Sequence, residues 1–226
     1  MLQMKKIIAS LLASAALTTP VFADPLKDSE YFTMHSMGCM LLQECTDEVN
    51  EITSILDVSS QYSNTEQFYS VANEFNNMLS SLNAIGVKVF LADQKYFPVS
   101  HRGVYHTVGN NFFLNKAFMG RPSVLMSVMR HEGWHAAQDC MAGTIDNSMI
   151  AIIKPEDEVP MLWRDMVESA YPESSWPWEK EATWAGKTEG MTSDALAACA
   201  NGKMWEIYPP TPLTRKYLVK EGYITK

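Results

Sequence analysis

Apolar residues recur at helical spacing through Phe68, Val71, Ala72, Phe75, Met78, Leu79 and Leu82. They predict an amphipathic helix that opens at Asn64 or Thr65 and ends at Gly86. A shorter helix is predicted before it, opening at Thr46 and running through Val49, Ile52, Ile55 and Leu56. The period then changes. Val87, Val89 and Leu91 alternate as in a strand, and Val104 to Val108 and Phe112 to Leu114 flank Gly109-Asn110-Asn111, a hairpin signal. Pro122 and Ser123 start the next helix, Val124, Leu125, Val128 and Met129 supply its apolar positions, and Gly143 stops it. Helical periodicity returns from Met161 to Ala170, breaks at Tyr171-Pro172, resumes after Pro177 and reappears from Ser193 to about Trp205. Pro209, Pro210 and Pro212 then predict an extended segment and a mixed polar tail. Helices, a small sheet, a central helix and C-terminal helices make an α+β fold class. With no repeat and no low-complexity linker, one domain over residues 24–226 is the simplest account.

The first 23 residues read differently. Lys5 and Lys6, the apolar run Ile7 to Leu17 and the small-x-small site Val21-Phe22-Ala23 are a secretory signal, with cleavage expected after Ala23 and a mature start at Asp24. A secreted or periplasmic location follows. The apolar run falls short of the roughly 20 residues a bilayer span needs, and no later segment is apolar enough, so no membrane span is expected in the mature chain. The chain carries a formal charge of −8, and loss of two lysines with the signal makes it more negative. No basic cluster offsets that balance, which argues against nucleic acid or an anionic membrane surface as a partner. Cys39, Cys45, Cys140 and Cys199 are an even set in an exported chain and favour two disulfides. Of the three pairings, a local Cys39–Cys45 clasp with a Cys140–Cys199 bridge is preferred; no C-x-x-C pair supports a cysteine zinc site.

Within the central predicted helix stands His131-Glu132-Gly133-Trp134-His135, an H-E-x-x-H sequence. Four positions are slightly more than one helical turn, so both imidazoles fall on one face, where they can hold a single zinc ion. Glu132 lies at the edge of that face, placed to act as general base toward a zinc-bound water. The competing reading is an amphipathic helix that merely contains two histidines.

A catalytic zinc takes three protein ligands and leaves a fourth position open. No histidine follows His135, and Met141 occupies the place of the third histidine in the longer metzincin motif, so a downstream carboxylate is expected. Glu181 is the favoured choice: it lies after Pro177 in Trp178-Glu179-Lys180-Glu181-Ala182-Thr183-Trp184-Ala185, where small alanines allow close helix approach. Glu179, Glu168 and Glu158 could also fill the position, as could Asp146 in Gly143-Thr144-Ile145-Asp146. Glu179 and Glu181 could instead belong to a solvated helix face.

Over roughly residues 87 to 190 the chain resembles the gluzincin group of zincin metallopeptidases, in its H-E-x-x-H helix and its downstream Glu181-Ala182 helix. The stretch between the two is longer than in the thermolysin-type arrangement. The resemblance implies a compact zincin-like domain, Zn2+ as cofactor on His131, His135 and Glu181, Glu132 as catalytic base, and a peptide or protein substrate. The expected reaction is peptide-bond hydrolysis, with the strand near Phe112 to Leu114 beside the cleft. Tyr171, Tyr105 and His106 are candidates for a second oxyanion donor. The alternative function is a non-catalytic exported zinc-binding or interaction module on the same fold.

Overall fold

The structure, a computed structural model, describes residues 37–225. The expected signal and the mature start at Asp24 lie outside the described residues. The fold is α+β. Its element order is α1 (Met37–Leu41), β1 (Val49–Glu51), α2 (Ile55–Ser59), α3 (Ala72–Ala84), β2 (Lys88–Ala92), β3 (Gly103–His106), β4 (Asn111–Asn115), α4 (Pro122–Met141), α5 (Met161–Ala170), α6 (Trp176–Ala185), α7 (Met191–Ala200), α8 (Met204–Ile207) and α9 (Pro212–Lys220).

The four strands form one mixed sheet in the order β1-β2-β4-β3. β3 and β4 are the expected hairpin, β2 runs parallel to β4, and β1 pairs antiparallel with β2. Because side chains alternate across a sheet, its two faces serve two cores. Val89, Leu91, Tyr105, Phe112 and Leu114 join the main core with α3, α4 and α7. Phe113 and Ala92 turn to the other face and pack with Met37, Met40, Tyr96 and Phe97.

Four elements differ from the sequence expectation. The helix expected to open at Asn64 or Thr65 is a 3-10 helix over Glu66–Val71 and α-helical only over Ala72–Ala84. Val49–Glu51 is a strand, not part of a helix from Thr46. Glu48 turns the chain at φ 57°, and the following residues find their backbone partners on β2. The helix begins later, where Ser54 and Asp57 form a capping box. The helix expected to reach Trp205 is split into α7 and α8 by Gly202, whose φ of +66° no helical residue adopts. Pro212 does not extend the chain but occupies the first turn of α9, where a missing N–H costs nothing, and Thr211 caps that turn by accepting from Thr214 N.

Both preferred disulfides are present, Cys39–Cys45 and Cys140–Cys199. The second ties the end of α4 to the end of α7. Such bridges persist in oxidising compartments, so the pair fits an extracellular or periplasmic protein. Among the described residues no helix is long and apolar enough to cross a membrane.

Candidate metal site

Helix α4 is apolar around most of its circumference. Leu125, Met129, Trp134, Ala136 and Ala137 are fully buried against its neighbours. Its remaining face carries His131 and His135, one turn apart, with ring centroids 5.0 Å from each other and planes at 85°. Helix α6 covers that face and presents Glu179. His131 Nε2 lies 3.2 Å from Glu179 Oε2, and His135 Nε2 lies 3.6 Å from Glu179 Oε1. One ligand atom from each of the three falls within 4.8 Å of the others, a separation one metal ion can bridge. Among the described residues this is the one such group.

The donor set suits a cation. Glu179 Oε2 is buried and, despite the nearby imidazole, has no hydrogen-bond partner. A buried carboxylate oxygen left in that state is costly unless a cation meets it. Burial works against the charged form of His131 and of Glu179. Their proximity outweighs it, holding His131 above the ordinary imidazole value and Glu179 below the ordinary carboxylate value.

The structure brings Glu179, not Glu181, to the histidine pair. Positions two apart on a helix diverge by about 200°, so both carboxylates cannot face α4 in the same way. Glu181 is fully buried elsewhere. It accepts from the backbone N–H groups of Ile153 and Lys154 and from the Gln138 side-chain amide. The Glu-Ala signal that favours Glu181 in the sequence marks this burial. Glu168, Glu158 and Asp146 stand away from the site. Glu168 pairs with Lys180 at 2.7 Å, Glu158 pairs with Lys154 at 3.4 Å, and Asp146 is exposed in a 3-10 turn beyond α4.

Glu132 lies next to the edge of the sheet. Its Oε2 accepts from Tyr105 N at 3.0 Å. The register explains the contact. Arg102 O accepts from Asn115 N, so in the antiparallel β3–β4 pair the backbone groups of Gly103 and Tyr105 point away from β4, toward α4. The closeness of strand and helix requires glycine at 103: a Cβ there would stand 2.6 Å from Val128 Cγ1 and 3.1 Å from Glu132 Cγ. β4 itself, expected beside the cleft, is an interior strand between β2 and β3 with every residue buried; the free edge is β3.

The candidate oxyanion donors separate clearly. The Tyr105 hydroxyl donates to buried Asp139 at 2.8 Å and is thereby committed. His106 lies at the hairpin, outside the metal group, and burial lowers its pKa. The Tyr171 phenol, at the end of α5, is raised by burial and by the charges of Glu179 and Glu132, so it stands in the field of both site carboxylates. No protein-family model, no curated protein and no solved structure matches this chain.

Proposed function

We propose that His131, His135 and Glu179 hold a zinc ion and that the chain is an exported zinc-dependent hydrolase of peptide bonds, with Glu132 as its base. The observation that supports this most directly is the convergence of three ligand atoms within 4.8 Å across α4 and α6, beside a second carboxylate, Glu132, that is not one of the three. Two imidazoles and a carboxylate are the donor set of open catalytic zinc sites, whereas structural zinc is closed by four protein ligands. When bound, zinc acidifies water and polarises a carbonyl.

The chain's own groups have distinct tasks. Tyr105 N–H holds Glu132 Oε2, which leaves Oε1 to take a proton from the attacking water and return it to the leaving amine. The phenol of Tyr171, whose pKa desolvation and the charges of Glu179 and Glu132 raise, is the proposed donor to the charge that develops on the carbonyl oxygen. An extended peptide adds to the edge of β3 through the outward backbone groups of Gly103 and the carbonyl of Tyr105, while the Tyr105 N–H stays with Glu132.

The test is a zinc-loaded Glu132→Gln protein. Its metal content should match the wild type while hydrolysis of a peptide library falls by at least ~100-fold, the usual range for a lost general base. Cleavage that persists in this variant refutes the role of Glu132. A non-catalytic zinc module is the second reading, favoured by the low exposure of the site side chains, 18% for His131 and 12% for His135. It predicts metal in the wild type with no cleavage in either protein.

A further inference from the structure

We propose that Gln138, set in place by Glu181, is the positioning residue that fixes the tautomer of His135, leaving its Nε2 lone pair directed at the metal site. This rests on the zinc reading above for its purpose but not for its geometry.

The argument is one of donors and acceptors. A primary amide has two N–H donors on nitrogen, and its oxygen can only accept. The nitrogen of Gln138 donates to the carbonyl of Trp178 at 3.1 Å and to Oε1 of Glu181. Both partners are acceptors, so a flipped amide would set oxygen against oxygen twice in a buried place. The Gln138 oxygen must therefore be the atom that faces His135, and it lies 2.7 Å from Nδ1. An amide oxygen beside Nδ1 requires the proton to be on Nδ1. The neutral ring then has its lone pair on Nε2, the atom on the Glu179 side. Gln138 and Glu181 are both fully buried, so solvent does not offer the ring a competing partner from that side.

Glu181 is fixed in turn. Its two oxygens accept from Ile153 N and Lys154 N at 2.7–3.2 Å, which ties the segment after α4 to α6. The glutamate that the sequence favours as a ligand thus acts one step further out, through an amide. Partners of this kind orient metal-bound histidines, and their loss typically weakens metal binding by about 10–100-fold.

The experiment reads the ring directly. Long-range 1H–15N spectra of the metal-free wild type, recorded where the imidazole is neutral, should show His135 with its proton on Nδ1. Gln138→Leu should give a mixture of tautomers and raise the zinc Kd, measured against a competing chelator, by about 10–100-fold. A wild-type proton on Nε2 overturns the inference, as does Gln138→Leu with an unchanged tautomer and Kd. The wild-type spectrum decides even if the leucine variant does not fold. Failure of the wild type to bind zinc at all would refute the metal site and leave the tautomer result standing by itself.

Discussion

Glu179 and Glu181 differ in role because a helix turns 100° per residue, which sends one carboxylate to the imidazoles and the other to Gln138. Their removal should have separable consequences. Glu179→Ala deletes the proposed carboxylate ligand and should reduce zinc affinity by more than the ~10–100-fold of a supporting residue. Glu181→Ala leaves two backbone N–H groups and one N–H of the Gln138 amide without an acceptor; its main cost should be in stability, about 1–3 kcal/mol or more by urea unfolding. The H-E-x-x-H spacing makes the candidate residues legible in the sequence, because local helical geometry alone sets the two histidines on one face and Glu132 at its edge. The choice between two glutamates is not legible, because it depends on how α6 is rotated about its own axis when it packs.

Asp139 poses a question of pH at the same scale. Burial pushes it up to about 7 from an ordinary 3.8, against the pull of the Tyr105 hydroxyl, and Asp146 adds to the rise. Between those two values the unfolded chain has released a proton that the folded chain keeps. Raising the pH through this window therefore favours unfolding: the contribution is whole below the unfolded pKa and is lost by about pH 7. Asp139→Asn can still accept from Tyr105 and should flatten that slope. Urea midpoints measured across the window for both proteins give the comparison.

At the scale of elements, the site exists because β3, α4 and α6 approach closely. Gly103 makes the first approach possible, and Gly103→Ala should cost about 1–3 kcal/mol by overpacking against Val128. Shortening the neighbour with Val128→Ala should recover part of that loss in the double variant, and an additive double loss would show that crowding is not the cause. Periodicity suffices for α3, α4, α5 and the hairpin, each long or strongly punctuated. It fails for β1, where three residues carry no period of their own and take strand form only through β2. It fails also at α9, where Pro212 reads as a breaker although a proline in the first turn is compatible with a helix. The edge position of β3 is not legible at all, because strand order is set by nonlocal pairing.

For the whole molecule, the Cys140–Cys199 bridge closes a loop of 59 positions that contains α5, α6 and most of α7, and so spans the Glu179 side of the site. Replacing both cysteines with serine should lower stability by about 2–4 kcal/mol, the usual effect of losing such a cross-link. Calorimetry of the oxidised, reduced and substituted proteins checks this; equal melting temperatures would show that the bridge is dispensable. The even cysteine count in a chain with a signal-like start suggests an oxidising setting, whereas the choice among the three pairings is settled only by the fold, which brings the ends of α4 and α7 together.

The bond from Tyr105 N to Glu132 has a practical use. A glutamine at 132 keeps an oxygen for that N–H, so the edge strand retains its anchor while the chemistry is silenced, which an alanine would not achieve. On the proposed function, the immobilised glutamine form would retain the peptides that the wild type would cut, and a failure to retain any would count against that proposal.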